Sequence, residues 1–108
     1  MEIQTYKLGE NYVIKLNGEL DASTAASVEK TLDDLVKLAP EQIQVDCKEL
    51  KYISSRGLGV FISRLQEISD KHINFSLYNM SEPVKYIFKV LGLDELIEIR
   101  SDKSYTSE

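Results

Sequence analysis

The chain has 108 residues, enough for one domain with a real core. Its net charge of −5 leaves no basic patch to displace counterions, which excludes an ordinary nucleic-acid binder. Hydrophobic residues make up 43% and charged ones 29%, and no apolar run approaches the roughly 18 residues of a membrane span.

Residues 2–8 and 12–16 alternate in polarity, with Gly9-Glu10-Asn11 between them, and predict a β-hairpin. Tyr12, Ile14 and Leu16 share one face. Gly18 and Asp21 mark a turn, and Asp21 or Ser23 can cap the next element. Ala25, Val28, Leu32, Leu35 and Val36 recur at helical spacing, which predicts a helix over 23–39, ended by Pro40. Ile43, Val45 and Cys47 alternate with Gln44 and Asp46 as a third strand. Leu58, Phe61, Ile62, Leu65 and Ile68 form the stripe of a second helix over 55–71, with Leu58, Ile62 and Leu65 expected against the sheet.

Ile73, Phe75 and Leu77 form a fourth strand. Ser81 and Pro83 open a third helix over 82–91, because proline in the first turn forfeits only an N–H that had no partner. Gly92-Leu93 is a C-terminal stop, and residues 96–99 make a short last strand. The order β-β-α-β-α-β-α-β predicts an α/β fold: a mixed, mostly parallel sheet with an N-terminal hairpin and helices packed on it. One domain is expected over 1–100, followed by a polar tail over 101–108.

The most informative stretch is Tyr52-Ile53-Ser54-Ser55-Arg56-Gly57-Leu58-Gly59-Val60. Two hydroxyls stand where an apolar strand gives way to a helix, and two glycines follow in its first turns. Each glycine costs a helix interior about 0.5–1 kcal/mol relative to alanine, so the pair implies close approach by another part of the fold or by a partner. A helix N-terminus carries unpaired N–H groups and the positive end of the macrodipole, which favours an anion such as a phosphate on Ser54 or Ser55. Serine before a helix is also a common cap. Ser54 suits the cap and Ser55 the exposed hydroxyl.

Catalytic patterns are absent. The single histidine, His72, stands at a helix-to-strand junction, and the single cysteine, Cys47, lies in a strand alternation that predicts a buried, inert thiol. No zinc or calcium motif, dinucleotide fingerprint or Walker-type loop occurs, so no enzyme, metal or cofactor is expected. The opening residues lack the basic and apolar segments of an export signal, and the cytoplasm is the expected compartment.

Three segments together resemble the STAS domain of bacterial anti-sigma-factor antagonists. Gly18-Glu19-Leu20-Asp21 with Ser23-Thr24-Ala25 resembles the family's second-strand-to-first-helix segment. Residues 52–60 resemble its phosphorylation loop. Ser81-Glu82-Pro83-Val84, with Phe88 and Leu91-Gly92-Leu93, resembles its third helix and exit. The resemblance implies a partner switch: the unmodified domain binds a serine kinase that doubles as an anti-sigma factor, phosphorylation in the loop breaks the complex, and a serine phosphatase restores it. It places the acceptor at Ser55, with Ser54 as the alternative, and partner contacts at Asp21, Ser54, Arg56, Gly57 and Gly59. Ser54 falls where many members have Asp, and Arg56 where a small residue is common. Asp21 is expected beside the acceptor loop, either bonding a loop donor and orienting the hydroxyl or capping its own helix. Two other readings stay open: a STAS-like scaffold that is never phosphorylated, and a small α/β protein that holds an anion or nucleotide at the 57–59 helix start.

Overall fold

The structure is a computed structural model, and it describes Met1–Ser101. The expected tail falls outside the described residues except for Ser101. Strand β1 (Glu2–Leu8) pairs antiparallel with β2 (Asn11–Leu20). Helix α1 (Ala25–Lys37) leads to β3 (Gln42–Ile53). Helices α2 (Ser55–Ile62) and α3 (Leu65–Asp70) precede β4 (Asn74–Tyr78). Helix α4 (Glu82–Val90) and a 3-10 turn (Leu93–Glu95) lead to β5 (Glu98–Arg100).

The five strands lie in the order β1-β2-β3-β4-β5, and all pairs after the hairpin are parallel. Strand order equals chain order, so each right-handed crossover returns to the same side of the sheet. One core therefore forms between the helices and a single sheet face. Ile14, Leu16, Ile43, Val45, Cys47 and Leu77 meet Val28, Leu32, Phe61, Ile68, Val84 and Phe88 there. Strand alternation sends Gln44, Asp46, Ser76 and Tyr78 to the other face. Gln44 Nε2 donates to the Tyr78 hydroxyl at 2.9 Å on that side.

Several sequence expectations need correction. Gly18 does not sit in a turn. It lies inside β2, beside one of two register shifts against β3. The second helix is not continuous over 55–71 but breaks at Ser63-Arg64. Of the residues expected against the sheet, Leu58 is buried, Leu65 is half-buried and Ile62 is 42% exposed. The buried face of α2 is Gly57, Leu58, Val60 and Phe61. At about 100° per residue, Ile62 lies roughly 120° from the middle of that arc. The helix docks on its glycine rather than on the Leu58–Ile62 line, and Ile62 turns out to solvent.

Candidate functional site

The site is built where β2 and β3 end side by side. Leu20 and Ile53 are their last paired residues. The next residue of each strand, Asp21 and Ser54, therefore leaves the sheet at the same corner. The Ser54 amide donates to the Leu20 carbonyl at 2.9 Å and ties the two loops together. The register shifts in this pair bend the strands as they approach the corner.

Ser54 has extended backbone, and its Oγ accepts the Gly57 amide at 3.2 Å. It is the cap of α2, and its hydroxyl is engaged. Ser55, the first helical residue, is exposed. The two glycines differ. Gly57 is buried, and a Cβ built there would lie 2.7 Å from Leu20 Cγ, 2.8 Å from the Leu20 carbonyl oxygen and 3.0 Å from Ile53 Cγ1. Its close approach is to Leu20 and Ile53 of the fold itself. A Cβ at Gly59 would meet nothing within 4 Å. Ser55, Gly59 and Ile62 fall at i, i+4 and i+7 and line the outer face of α2. Tyr52, at the end of β3, is also exposed.

Asp21 lies beside the Ser54-Ser55 loop, but its carboxylate serves its own turn. Oδ1 accepts the Ser23 amide at 2.9 Å, the Ser23 hydroxyl at 2.7 Å and the Thr24 hydroxyl at 3.3 Å. The Thr24 hydroxyl also donates to the Glu19 carbonyl at 2.8 Å. Helix α1 begins after Thr24, and its side chain makes no cap bond. The Ser23 donors hold the Asp21 carboxyl below its ordinary range. A depressed carboxyl stabilises its turn fully above the unfolded pKa, and the effect is lost as pH falls through the folded value. In a carboxyl-resolved NMR titration, Asp21 should protonate below the usual aspartate range, and Ser23→Ala should raise it. No upward movement in Ser23→Ala would remove the assignment.

Sequence reasoning missed the charged cluster around Arg56 and Arg64. Arg56 Nη2 reaches Glu29 Oε1 of α1 at 3.2 Å. Arg64, in the break between α2 and α3, meets Glu29 Oε2 at 3.1 Å. Its Nε donates to Asp33 Oδ1 at 2.8 Å and its Nη2 to Asp33 Oδ2 at 3.2 Å, a two-pronged clamp. Arg64 Nη1 also donates to the Val60 carbonyl and the Ser63 hydroxyl, which supports the end of α2. The Arg56 hydrogen bond is the chief cause that lowers the Glu29 carboxyl, and Arg64 adds to it. The Asp33 bond raises the Arg64 guanidinium further. Glu29 and Asp33 at i, i+4 on the polar face of α1 were the available signal. Their cationic partners are remote in sequence.

The other candidate chemistry is weak. Cys47 is buried, and burial together with the Asp46 charge pushes its thiol well above its ordinary value, which disfavours the nucleophilic thiolate. His72 is an exposed turn residue with φ 58°. No group of His, Cys, Asp and Glu suited to a metal occurs among the described residues. No helix among them is long and apolar enough to cross a membrane.

A family model described as the STAS domain matches residues 2–105. The chain belongs to the STAS domain family. A protein of Staphylococcus epidermidis named anti-sigma-B factor antagonist is 26% identical over 99 residues, 92% of each chain. The solved structure of the anti-sigma factor antagonist SpoIIAA in its unphosphorylated form superposes with a TM-score of 0.79 at 22% identity, covering 94% of this chain and 90% of that one. SpoIIAA of Bacillus in its phosphorylated form gives a TM-score of 0.72 at 21% identity, covering 94% and 93%. At these identities the two structures establish the shared fold. The STAS fold here is the mixed, mostly parallel sheet expected from the element order.

Proposed function

We propose that this STAS domain is an anti-sigma-factor antagonist that works as a phosphorylation-controlled partner switch. Its unmodified form binds a serine kinase that is also the anti-sigma factor, and a serine phosphatase reverses the modification. The observation that carries the reading is the outer face of α2. Ser54 is engaged as the cap while Ser55 is exposed, in line with bare Gly59 and outward Ile62. A helix face with an apolar residue turned out, next to a free approach to backbone, suits a protein partner. The relatives named anti-sigma-B factor antagonist, and a fold neighbour solved with and without phosphorylation, support the same reading.

The chemistry is a phosphoryl transfer. The Ser55 oxygen attacks the γ-phosphorus of ATP on the kinase, the bond to the β-phosphate oxygen breaks, ADP leaves, and the hydroxyl proton passes to a base on the kinase. The product carries about −1.5 to −2 charges and three acceptor oxygens. Within the domain this group costs little, because the N-terminus of α2 offsets it by about 0.3–1 kcal/mol. At a docked interface it must shed water or face unmatched groups. About 3–4 kcal/mol there weakens a complex by two to three orders of magnitude, at about 1.4 kcal/mol per tenfold. Exclusion at the interface is sufficient, and the fold need not change. On this reading the domain's part is binding, and the catalysis is the kinase's.

Phosphopeptide mapping after reaction with the kinase and ATP tests the assignment. Phosphate is expected on Ser55. Phosphate on Ser54 alone would move the acceptor, and no incorporation at all would favour the unmodified scaffold.

A further inference from the structure

Arg56 is placed beside Ser55, yet its guanidinium is drawn back to α1. It meets Glu29 in an ion pair whose side chains are 48% and 27% exposed. Such a pair is weak, because water competes for both charges. Glu29 also holds Arg64, whose side chain is only 16% exposed and is clamped on Asp33. One carboxylate thus serves two guanidiniums, and only one of them is anchored elsewhere. Arg56 can leave without stranding Glu29, because Arg64 remains.

We infer that Arg56 is the phosphate ligand of the modified chain: once Ser55 carries a phosphate, Arg56 exchanges Glu29 for it, and Glu29 keeps its contact with Arg64. The inference rests on Ser55 as the acceptor. Three physical arguments carry it. A phosphoserine bears nearly twice the charge of a carboxylate, and its oxygens match the guanidinium fork for two parallel hydrogen bonds. Ser55 and Arg56 are consecutive in the first turn, with side chains about 100° apart around the helix, so it is the length and free rotation of the arginine side chain, not its position, that lets it swing to the phosphate. The pair it abandons is exposed and weak. The exchange makes the two forms of the face differ in more than the phosphate. In the unmodified form the guanidinium lies toward α1. In the modified form it lies over the acceptor, where it screens the new charge and occupies the surface a partner would cover.

The test builds phosphoserine into position 55 during synthesis, so that no kinase is involved. The second ionisation of the phosphate is then followed by phosphorus NMR as pH is varied. An opposite charge in contact favours the dianion and lowers this pKa. The phosphorylated wild-type chain should ionise about half a unit or more below the phosphorylated Arg56→Gln chain. Phosphorylated Glu29→Gln should ionise as low as wild type or lower, because nothing competes for Arg56. Lys30→Gln removes an equal charge from the neighbouring surface of α1, where Lys30 pairs with Asp34 instead. Equal ionisation in wild type and Arg56→Gln would overturn the exchange. So would a Lys30→Gln shift as large as that of Arg56→Gln, which would mark a general field rather than a contact. A lowered ionisation with unchanged affinity for the kinase partner would keep the Arg56 exchange and remove the regulatory role of Ser55.

Discussion

Gly57→Ala should lower stability by about 1–3 kcal/mol, the usual cost of forcing a methyl group into a packed core. The site leaves little room to relax. The new Cβ would lie 2.8 Å from the Leu20 carbonyl oxygen, and that carbonyl accepts the Ser54 amide that joins the two loops. Moving it lengthens the bond at the corner where the Ser54-Ser55 loop leaves the sheet. Leu20 Cγ, 2.7 Å from the new Cβ, belongs to a fully buried side chain that would have to shift within the core. Gly59→Ala should act in the opposite direction. With nothing within 4 Å, the added methyl group gains helix propensity and raises stability by about 0.5–1 kcal/mol. Its cost falls on the partner, because the methyl group fills backbone that the outer face leaves bare. Paired denaturant titrations and kinase-affinity measurements check both halves. A Gly57→Ala chain as stable as wild type would contradict the close approach. Unaltered partner binding in Gly59→Ala would place the interface elsewhere.

Ser55→Ala should fold as wild type does, bind the kinase persistently and take up no phosphate. Ser55 is exposed and its neighbour Ser54 supplies the cap, so removal of the hydroxyl leaves both core and helix start intact. Ser55→Asp should bind more weakly than Ser55→Ala but more tightly than the phosphorylated chain. One carboxylate carries about half the charge of a phosphoserine and lacks its third oxygen. Loss of the complex on full phosphorylation should reach two to three orders of magnitude in affinity, equivalent to about 3–4 kcal/mol. Surface-resonance or calorimetric titration of the three forms against the kinase gives the order directly. Equal affinity for Ser55→Ala and for the phosphorylated wild type would contradict the switch.

Local chemistry was legible in the sequence wherever one residue type has few uses. The Ser54 cap follows from serine ahead of an apolar helix period, and its Oγ does accept the Gly57 amide. Gly92 as the end of α4 follows from glycine's tolerance of the left-handed region, and its φ is 73°. Pro83 in the first turn of α4 follows from its missing N–H. The strand alternations around Ile14, Val45 and Leu77 identified one core face, although β2 and β3 run on to Leu20 and Ile53. Those extensions matter most for the site, because they carry Asp21 and Ser54 to one corner. The polar residues in them hid the pattern.

What the chain determines by itself, then, is the order of strands and main helical segments, the Ser54 cap, the helix stop at Gly92 and the identity of the two candidate hydroxyls. These depend on backbone freedom and on hydrophobic period, which are properties of neighbouring residues. Only the tertiary structure separates Gly57 from Gly59, since both are merely glycines until Leu20 is seen against one of them. Only packing turns Ile62 outward, because the phase of a short helix is set by which residue reaches the sheet most closely. Only the crossing of α1 past α2 brings Glu29 and Asp33 to Arg56 and Arg64. Ion pairs between elements depend on distance in space, and a one-dimensional pattern of charges does not contain that distance.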